Sequence, residues 1–298
     1  MRWYFAIDEA GTYGETGADA KTAVLSARAF GQLDPHLLYY GKRNDFTAWM
    51  TQHGVTVIDA APHFLPIIQA AEQAGIYKAH SIGHWLRVVL PQVETTQEFV
   101  LYTDCDVIFL NKVDWQNIRP KVFAAAPEFK RDNWNYFNAG VMVVNIPAMQ
   151  LSYNLFETQI CSRIEATDSY SYDDQQALNE AYRGLWDRLD VRLNWKPYWG
   201  YNSKAAILHF HGPKLSVLES IASGHWNADN PTAIQLRLMV DGHLPAYIAW
   251  AGMLGDRLQN QDVKLALRLQ AAASALTRYQ STRAGVAVDT SFMDFNMF

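Results

Sequence analysis

Short apolar runs alternate with stretches of helical spacing from Arg2 to about Val144, and this alternation restricts the possible folds of the 298-residue chain more than any other feature. Strand and helix patterns that take turns along a chain are typical of an α/β domain with a largely parallel sheet. The predicted strands of this region are 3–8, 37–40, 55–58, 99–103, 122–125 and 140–145. We therefore predict an α/β fold in which a mostly parallel central sheet is flanked by helices.

Helical spacing continues beyond this region. The helices predicted in the first 215 residues are 21–30, 45–53, 149–166 and 174–182. Gly54 follows the second of them, at the position where a glycine commonly ends a helix. A further strand is predicted at 206–211. From about Thr232 onward the pattern is helical and includes 263–279, which carries apolar residues on one face. The chain is thus expected to end in a helical region.

Composition and charge limit the classes of partner. With 49% hydrophobic residues the chain can bury a full core. Its two cysteines, Cys105 and Cys161, cannot form a disulfide framework, and no signal peptide is recognisable, so we expect a cytoplasmic protein. A net charge of −5 without a basic patch predicts no nucleic-acid partner. No apolar run is long enough for a transmembrane segment, whereas the C-terminal helices leave peripheral contact with a membrane open.

The residues best suited to chemistry follow the predicted strand 99–103. Asp104 and Asp106 stand directly after this apolar strand, with Cys105 between them. Ligands of open α/β sheets bind at the carboxyl ends of the strands. Two acids that are one residue apart can hold a divalent cation such as Mn²⁺ or Mg²⁺, which can neutralise a diphosphate. An Asp-x-Asp pair occurs by chance about once in a chain of this length, so its place after a buried strand is what predicts a metal site.

Three further segments carry residues suited to a sugar phosphate. Asn138 precedes an apolar strand, where it could bind a sugar hydroxyl or cap a turn. The acidic residues at the start of the predicted helix 174–182 could cap that helix or contact a ligand. His209 ends a predicted strand and is followed by Gly212 and Lys214; an imidazole suits a Mn-like ion, and a lysine can hold a phosphate oxygen. Each segment alone has a structural explanation, so the functional prediction depends on their grouping.

Taken in order, these motifs resemble glycosyltransferase family 8. The matching segments are Asp104-x-Asp106, Phe-Asn-Ala-Gly-Val at 137–141, Asp-Gln with Ala-Leu-Asn at 174–179, and His-Phe-x-Gly at 209–212. The resemblance covers about residues 3–215. It implies a Rossmann-like GT-A fold, a UDP-sugar donor, Mn²⁺ or Mg²⁺ as cofactor, and transfer with retention of the anomeric configuration. It also implies a catalytic domain over 1–215. Beyond it the resemblance fades, and the helical pattern predicts a mainly helical region over 216–298 that could contact an acceptor, a partner or a membrane surface.

The resemblance also implies roles for individual positions. The implied metal ligands are Asp104, Asp106 and His209, and the implied catalytic residues are Asp174 and Gln175. The implied donor-binding residues are Ala6, Asp8, Tyr13, Arg87, Asp104, Cys105, Asp106, Asn138, Ala139, His209, Gly212 and Lys214.

Two positions depart from the family pattern. The family commonly has a tyrosine three residues after the first-strand aspartate, where this chain has Gly11, so Tyr13 is the candidate for stacking on the base. The family lysine follows the glycine by three residues, whereas Lys214 follows Gly212 by two.

The implied reaction is the transfer of a hexose to an acceptor hydroxyl. Positive charge from the cation would stabilise the leaving UDP, and Gln175, whose amide is a poor nucleophile, favours attack from the face of the leaving group. No motif identifies the acceptor, which could be a glycan, a lipid-linked saccharide or a protein. Two alternatives stay open: a haloacid-dehalogenase-like phosphatase, which also places Asp-x-Asp after an apolar strand, and a nucleotide-sugar or glycan-binding protein without turnover.

Overall fold

The computed structural model describes residues 1–30, 32–79, 81–166, 172–283 and 285–294. Its strands are β1 (Arg2–Asp8), β2 (Asp34–Tyr40), β3 (Thr56–Asp59), β4 (Phe99–Thr103), β5 (Val107–Phe109), β6 (Phe123–Pro127), β7 (Phe137–Asn145), β8 (Asp187–Arg188) and β9 (Ile207–His209). Its helices are α1 (Glu9–Thr12), α2 (Glu15–Arg28), α3 (Asp45–Gln52), α4 (Leu65–Gln73), α5 (Ile82–Trp85), α6 (Leu90–Val93), α7 (Ile146–Glu165), α8 (Asp174–Ala181), α9 (Leu215–Ala222), α10 (Pro231–Gly242), α11 (Leu244–Leu258) and α12 (Val263–Thr282).

The chain divides into two compact units. The first unit comprises Met1–Val107, Lys112–Ala126 and Tyr136–Asp190, and the second unit comprises Ile108–Asn111, Pro127–Asn135 and Val191–Phe298.

The first unit is built on a seven-stranded sheet with the order β3-β2-β1-β4-β7-β6-β8 among the described residues. β1 runs parallel to β2 and β4, β2 runs parallel to β3, and β4 and β7 are antiparallel. The predicted α/β fold with a mostly parallel sheet is confirmed. Because β1 and β4 are parallel while β7 is reversed, the carboxyl ends of β1 and β4 share one sheet edge with the first residues of β7.

Helix α7 shows how the first unit buries its apolar residues. It begins after Asn145, whose side chain accepts a hydrogen bond from the backbone N–H of Ala148. One face of the helix is buried; it consists of Ile146, Met149, Tyr153, Phe156, Ile160 and Ile164. These side chains join the core that also contains residues of β4 and β7. Burial of each large apolar side chain stabilises the fold by about 1.5–3 kcal/mol, so this face fixes α7 against the sheet.

The second unit contains β9, the last two residues of β5 and the helices α9 to α12; β5 and β9 pair in a small two-stranded sheet. The predicted C-terminal helices are confirmed, and α12 starts at the predicted residue because Asp262 caps it by accepting from the N–H of Leu265. Trp250, Leu254 and Leu258 of α11 pack in one core with Ala266 and Leu269 of α12. No helix in the described part of the chain is both long enough and apolar enough to cross a membrane.

Several elements differ from their predicted bounds: β2 begins at Asp34 rather than at residue 37, and β7 begins at Phe137 rather than at residue 140. The predicted strand 206–211 is shorter in the structure, since β9 ends at His209. Helix α2 begins at Glu15 rather than at residue 21. Its first turns bury only small residues such as Gly17 and Ala20, which leave no apolar pattern in the sequence. The sequence pattern does not predict the strands β5 and β8 or the helices α1, α4, α5 and α6. Gly54 ends α3 with a φ of +73°, as predicted.

Glu94 connects β1 to the turn that follows α6. Its buried carboxylate accepts hydrogen bonds from Arg2 Nη1 at 2.7 Å, from Tyr4 Oη at 2.8 Å and from the backbone N–H groups of Thr96 and Gln97 at 2.6 and 3.0 Å. Burial acts to raise the pKa of Glu94, but these hydrogen bonds outweigh it and lower the pKa to about 2. The charged form of Glu94 therefore stabilises the fold.

We expect Glu94→Gln to lower the free energy of unfolding by about 2 kcal/mol at pH 7, because hydrogen bonds to a charged group are lost. The folded pKa lies below the ordinary value of 4.5, so the stabilisation is present above pH 4.5 and is lost as the pH falls towards 2. Urea denaturation should therefore separate wild type and variant more at pH 7 than at pH 3. Glu98→Gln, at an exposed position, is the control; equal effects of the two variants at pH 7 would contradict the prediction.

Candidate active site

Asp104 and Asp106 lie at the carboxyl end of β4, where the sheet predicts ligand binding. Both side chains are half-exposed. The backbone N–H of Asp104 donates to the carbonyl of Gly140 at 2.8 Å, which continues the contact between β4 and β7 beyond the last residue of β4. The backbone of Asp104 is therefore fixed against β7.

Arg87 connects residues of three predicted motifs. Its Nη2 lies 2.7 Å from Asp104 Oδ1, its Nη1 donates to the carbonyl of Ala139 at 2.6 Å, and its Nε pairs with Asp174 Oδ2. The guanidinium also lies 5.1 Å from the ring centroid of Tyr102. The side chains of Arg87 and Asp174 are only 7% and 5% exposed. One buried cation thus holds the end of β4, the start of β7 and the start of α8 together.

The charges of this group depend on one another. Burial acts to lower the pKa of Arg87, but Asp104 and Asp174 outweigh it and raise the pKa above the ordinary value. Burial raises the pKa of Asp174, and the positive charge of Arg87 opposes that shift. Removal of one partner from a buried ion pair leaves an uncompensated charge, which is strongly destabilising. Arg87 is therefore an internal partner of two carboxylates; its predicted contact with donor phosphates stays a prediction.

Gln175 and Asn138 lie side by side at the start of β7. The Oε1 atom of Gln175 accepts from the backbone N–H of Ala139 at 2.8 Å and from Asn138 Nδ2 at 3.2 Å. Asn138 Oδ1 accepts from the backbone N–H of Gly140 at 3.1 Å. The carboxamide of Gln175 is thus oriented by β7, on the same stretch of backbone that Arg87 contacts.

The two acidic residues at the start of α8 have separate roles. Asp173 caps the helix by accepting from the N–H of Gln176 at 2.7 Å. Asp174 is turned to Arg87. Asn179, one turn later, bonds both the N–H and the carbonyl of Phe137, at 2.9 and 3.0 Å. Capping therefore explains Asp173, whereas Asp174 belongs to the group around Arg87.

Asp8 ends β1 at the same edge of the sheet. It accepts from Ser81 Oγ at 2.6 Å and from the N–H groups of Gly11 and Gly83 at 2.9 and 3.1 Å. Burial acts to raise the pKa of Asp8, but these bonds outweigh it and lower the pKa. A Cβ on Gly83 would lie 2.9 Å from the Asp8 nitrogen, so this close approach requires glycine. Tyr13 is 73% exposed and lies one short helix away from Asp8.

Cys105 links this end of β1 to Asp104 and Asp106. Its buried Sγ donates to the carbonyl of Ala6 at 3.2 Å. Burial raises the pKa of Cys105 well above the ordinary value, so the residue stays a neutral thiol. The side chain therefore belongs to the core, and only the backbone of Cys105 can face a ligand at this edge.

His209 belongs to the second unit, at the end of β9. It is 1% exposed, and its Nδ1 lies 2.9 Å from Asn194 Oδ1. Because an amide oxygen accepts, Nδ1 carries the proton and the lone pair lies on Nε2. A histidine in this tautomer can ligate a metal ion through Nε2, and a hydrogen bond to the other ring nitrogen is the usual second contact of a metal-binding histidine.

Gly212 and Lys214 follow β9 in the same unit. Gly212 has a φ of +85°, a backbone conformation that favours glycine. Lys214 Nζ donates to the carbonyl of Phe210 at 2.6 Å. The predicted phosphate contact of Lys214 stays a prediction.

Some residues that organise the site carry no sequence signal for that role. Ser81 lies in a loop without any pattern, and Asn194 lies in an aromatic-rich stretch fifteen residues before its partner His209. Asn179 was part of a recognised motif but had no assigned role. Hydrogen bonds between residues far apart in the chain become visible only in three dimensions.

The donor atoms of the predicted metal ligands suit a hard or borderline divalent cation. Asp104 and Asp106 would offer carboxylate oxygens, and His209 would offer the imidazole nitrogen Nε2. Oxygen and imidazole ligands are those that Mn²⁺ and Mg²⁺ sites use. The residues present therefore fit the implied cofactor.

A family model and several solved structures resemble the chain. Residues 62–215, just over half of the chain, match the model of "Glycosyl transferase family 8". The galactosyltransferase LgtC, solved in complex with donor and acceptor sugar analogs, has a TM-score of 0.54 and 17% identity over 82% of this chain and 96% of its own. A second LgtC structure carries an active-site mutation that replaces a glutamine by glutamate. No curated protein sequence matches the chain.

Two further structures have a similar fold. The glycosyltransferase GlyE of Streptococcus pneumoniae TIGR4, in its apo form, has a TM-score of 0.50 and 18% identity over 70% of this chain and 54% of its own. Mouse xyloside xylosyltransferase 1 in its apo form has a TM-score of 0.50 and 15% identity over 70% of this chain and 96% of its own. At these identities the likeness concerns the fold, which is the GT-A fold that the sequence resemblance implies.

We expect Arg87→Met to lower the free energy of unfolding by about 3–5 kcal/mol, because Asp174 would be left buried without its cation. Adding Asp174→Leu should recover most of this loss, since an apolar pair replaces the buried charges. Thermal and urea unfolding of the single and double variants measure the effect. An Arg87→Met variant as stable as wild type, or a double variant less stable than the single one, would contradict this account of the ion pair.

Proposed function

The chain belongs to glycosyltransferase family 8, and from this premise we propose that it transfers a hexose from a UDP-sugar to an acceptor hydroxyl, with a divalent metal ion and with retention of configuration. The contact of Arg87 with Asp104, Ala139 and Asp174 carries the proposal. It joins three of the family's motifs at the sheet edge where open α/β folds bind ligands.

The proposed metal ligands are Asp104, Asp106 and His209. β5 begins one residue after Asp106 and pairs with β9, which ends at His209, and this order of elements supports a shared ligand set. When bound, the ion would supply positive charge that stabilises the diphosphate of the leaving UDP. Asn194 contributes by holding His209 in the tautomer with its lone pair on Nε2.

The nucleotide is proposed to bind at the end of β1. The carboxylate of Asp8 is fixed by three donors, and its lowered pKa keeps it charged, so it can accept from the base or the ribose. Tyr13 is exposed and can stack on the base. Ala6, Cys105 and Ala139 would contact the donor through backbone groups at the same edge, and Gly212 and Lys214 would contact its phosphates.

The reacting sugar is proposed to lie against Asn138 and Gln175. The backbone of Ala139 and the side chain of Asn138 orient the amide of Gln175, which can hydrogen-bond the sugar but carries no charge for nucleophilic attack. Asp174 is buried and paired with Arg87, which also disfavours it as a nucleophile. These environments support attack by the acceptor from the leaving-group face. The active-site glutamine of LgtC, known from its glutamate variant, is consistent with a role for Gln175.

The two alternative functions, a phosphatase and a binding protein without turnover, predict different experimental results. A phosphatase would release phosphate from a phosphomonoester without a nucleotide-sugar, and the family match favours a glycosyltransferase over it. A nucleotide-sugar-binding protein without turnover would bind UDP in the presence of metal but would release none from a UDP-sugar.

We expect metal-dependent release of UDP from one member of a UDP-sugar panel, which includes UDP-glucose and UDP-galactose, because many transferases slowly hydrolyse their donor. Mn²⁺ and Mg²⁺ should support release and EDTA should abolish it. Asp104→Asn with Asp106→Asn should reduce release to background and weaken Mn²⁺ binding, followed by electron paramagnetic resonance.

The matched control replaces two exposed aspartates of the second unit, Asp229→Asn with Asp256→Asn. This variant should retain both UDP release and Mn²⁺ binding. Absence of UDP release together with absence of metal-dependent UDP binding in wild type would refute the nucleotide-sugar assignment. Metal-dependent UDP binding without release from any UDP-sugar would instead indicate the binding protein.

We expect Gln175→Ala to lower turnover by about 100-fold, the cost of removing one hydrogen-bond donor that acts on the transition state, while the Kd for UDP changes little. Asp174→Asn should act in the same direction but also lower stability, since Arg87 loses a charged partner. The control is Gln176→Ala, whose side chain contacts Glu180. A collapse of UDP affinity with normal turnover at saturation would assign Gln175 to the nucleotide instead of the sugar.

A further inference from the structure

The second unit contains a cavity of about 260 Å³. Its lining combines aromatic rings, three charged residues from one loop and residues near the end of the described chain: Phe129, Lys130, Arg131, Asp132, Tyr198, Trp199, His243, Thr290 and Met293. Lys130, Arg131 and Asp132 are exposed, whereas Tyr198 and Met293 are buried. The cavity therefore has an aromatic floor and a mouth that carries charges of both signs.

Side chains from one short segment hold the floor of the cavity in place. Three consecutive backbone carbonyls, those of residues 127, 128 and 129, accept hydrogen bonds from side chains of residues 196–199. Lys196 Nζ donates to the first at 2.7 Å, Tyr198 Oη to the second at 3.3 Å, and Trp199 Nε1 to the third at 2.5 Å. The two segments that carry the aromatic rings, 127–129 and 196–199, are thus fixed to each other before any ligand binds. This lowers the entropic cost of binding.

Lys196 supports the same floor from inside the unit. It is fully buried, and its ammonium lies 4.4 Å from the ring centroid of Trp199. Burial lowers the pKa of Lys196 to about 7, while the charge of Glu128 opposes that shift. A buried lysine is costly unless its contacts offset the cost, and the contacts of Lys196 with Pro127 and Trp199 do so here.

Contacts within the second unit connect the cavity to the proposed metal ligand. Tyr198 Oη lies 2.8 Å from His211 Nδ1, and Glu128 Oε1 lies 2.8 Å from His211 Nε2. The rings of His211 and His209 are 5.7 Å apart. Only one residue, His211, therefore separates a cavity-lining side chain from the histidine that ends β9.

We infer that this cavity binds one neutral sugar ring of the acceptor, an inference that rests on the proposed transfer function. The volume lies just below the range of about 300–1,000 Å³ that is typical of pockets for drug-sized ligands, so it suits a single ring. The C–H face of a pyranose packs on aromatic rings, as Phe129 and Trp199 provide. Its hydroxyls both donate and accept, and Asp132 and Arg131 at the mouth offer one group of each kind.

The test is saturation-transfer NMR of the full chain with methyl β-D-galactopyranoside, methyl α-D-glucopyranoside and methyl β-D-xylopyranoside, without donor or metal. We expect saturation transfer to at least one glycoside. Thr290→Trp fills the cavity and should abolish that binding, whereas Thr282→Trp, at an exposed position outside the cavity, should preserve it. Trp199→Phe keeps a smaller ring and should weaken binding by about 2- to 10-fold.

Absence of binding to all three glycosides, equal binding by Thr290→Trp and wild type, or displacement of the glycoside by UDP alone would each overturn the inference. The UDP-release assay separates this result from a failure of the proposed function. Thr290→Trp should release UDP from the donor as wild type does, because none of the proposed donor or metal ligands lines the cavity. Glycoside binding in a protein that releases no UDP would refute the transfer function and leave the cavity as a saccharide site.

Discussion

The arrangement of the candidate active site depends on the contacts of the buried guanidinium of Arg87. A charge this deeply buried is tolerated only when partners surround it, and Asp104, Asp174 and the carbonyl of Ala139 meet that demand from three separate elements. The planar fork of arginine can serve three acceptors in different directions, whereas a lysine ammonium offers a single point of charge. The end of β4, the start of β7 and the start of α8 must therefore come together for the first unit to fold.

The reversal of one strand makes this meeting possible. Ordinary parallel order brings the carboxyl ends of β1 and β4 to one edge, which explains why Asp8 and Asp104 share it. Because β7 is antiparallel to β4, its first residues, and not its last, reach the same edge. Asn138 and Ala139 thus lie beside Asp104 although they begin a strand, and Gln175 is oriented by them. The chemistry of the edge follows from strand direction as much as from the identity of the side chains.

The sequence was sufficient for the elements with a repeated pattern and for the group of residues that defines the family. β4 has its predicted bounds, and α12 begins where predicted, because long apolar periodicity reflects burial directly. Short elements such as β5 and β8 contain too few residues for a period to appear. The contacts of Arg87 with Asp174 and of Asn194 with His209 join residues 87 and 15 positions apart, respectively, and no local pattern encodes such pairs. The sequence therefore indicates candidate site residues, but it does not indicate which of them contact each other.

The two units differ in how much a substitution at the proposed ligand-binding residues affects stability. In the first unit, the groups proposed to face the donor are also groups that the fold requires, since Asp174 neutralises Arg87 and Gln175 is bonded to β7. Substitution there costs stability as well as function. In the second unit, the cavity floor is held by backbone carbonyls whose position does not depend on the loop side chains 130–132 at the mouth. Those side chains are exposed, so they can change with little effect on folding. Under the proposed function, a few substitutions at the mouth of the cavity would alter the acceptor sugar and leave the donor chemistry unchanged.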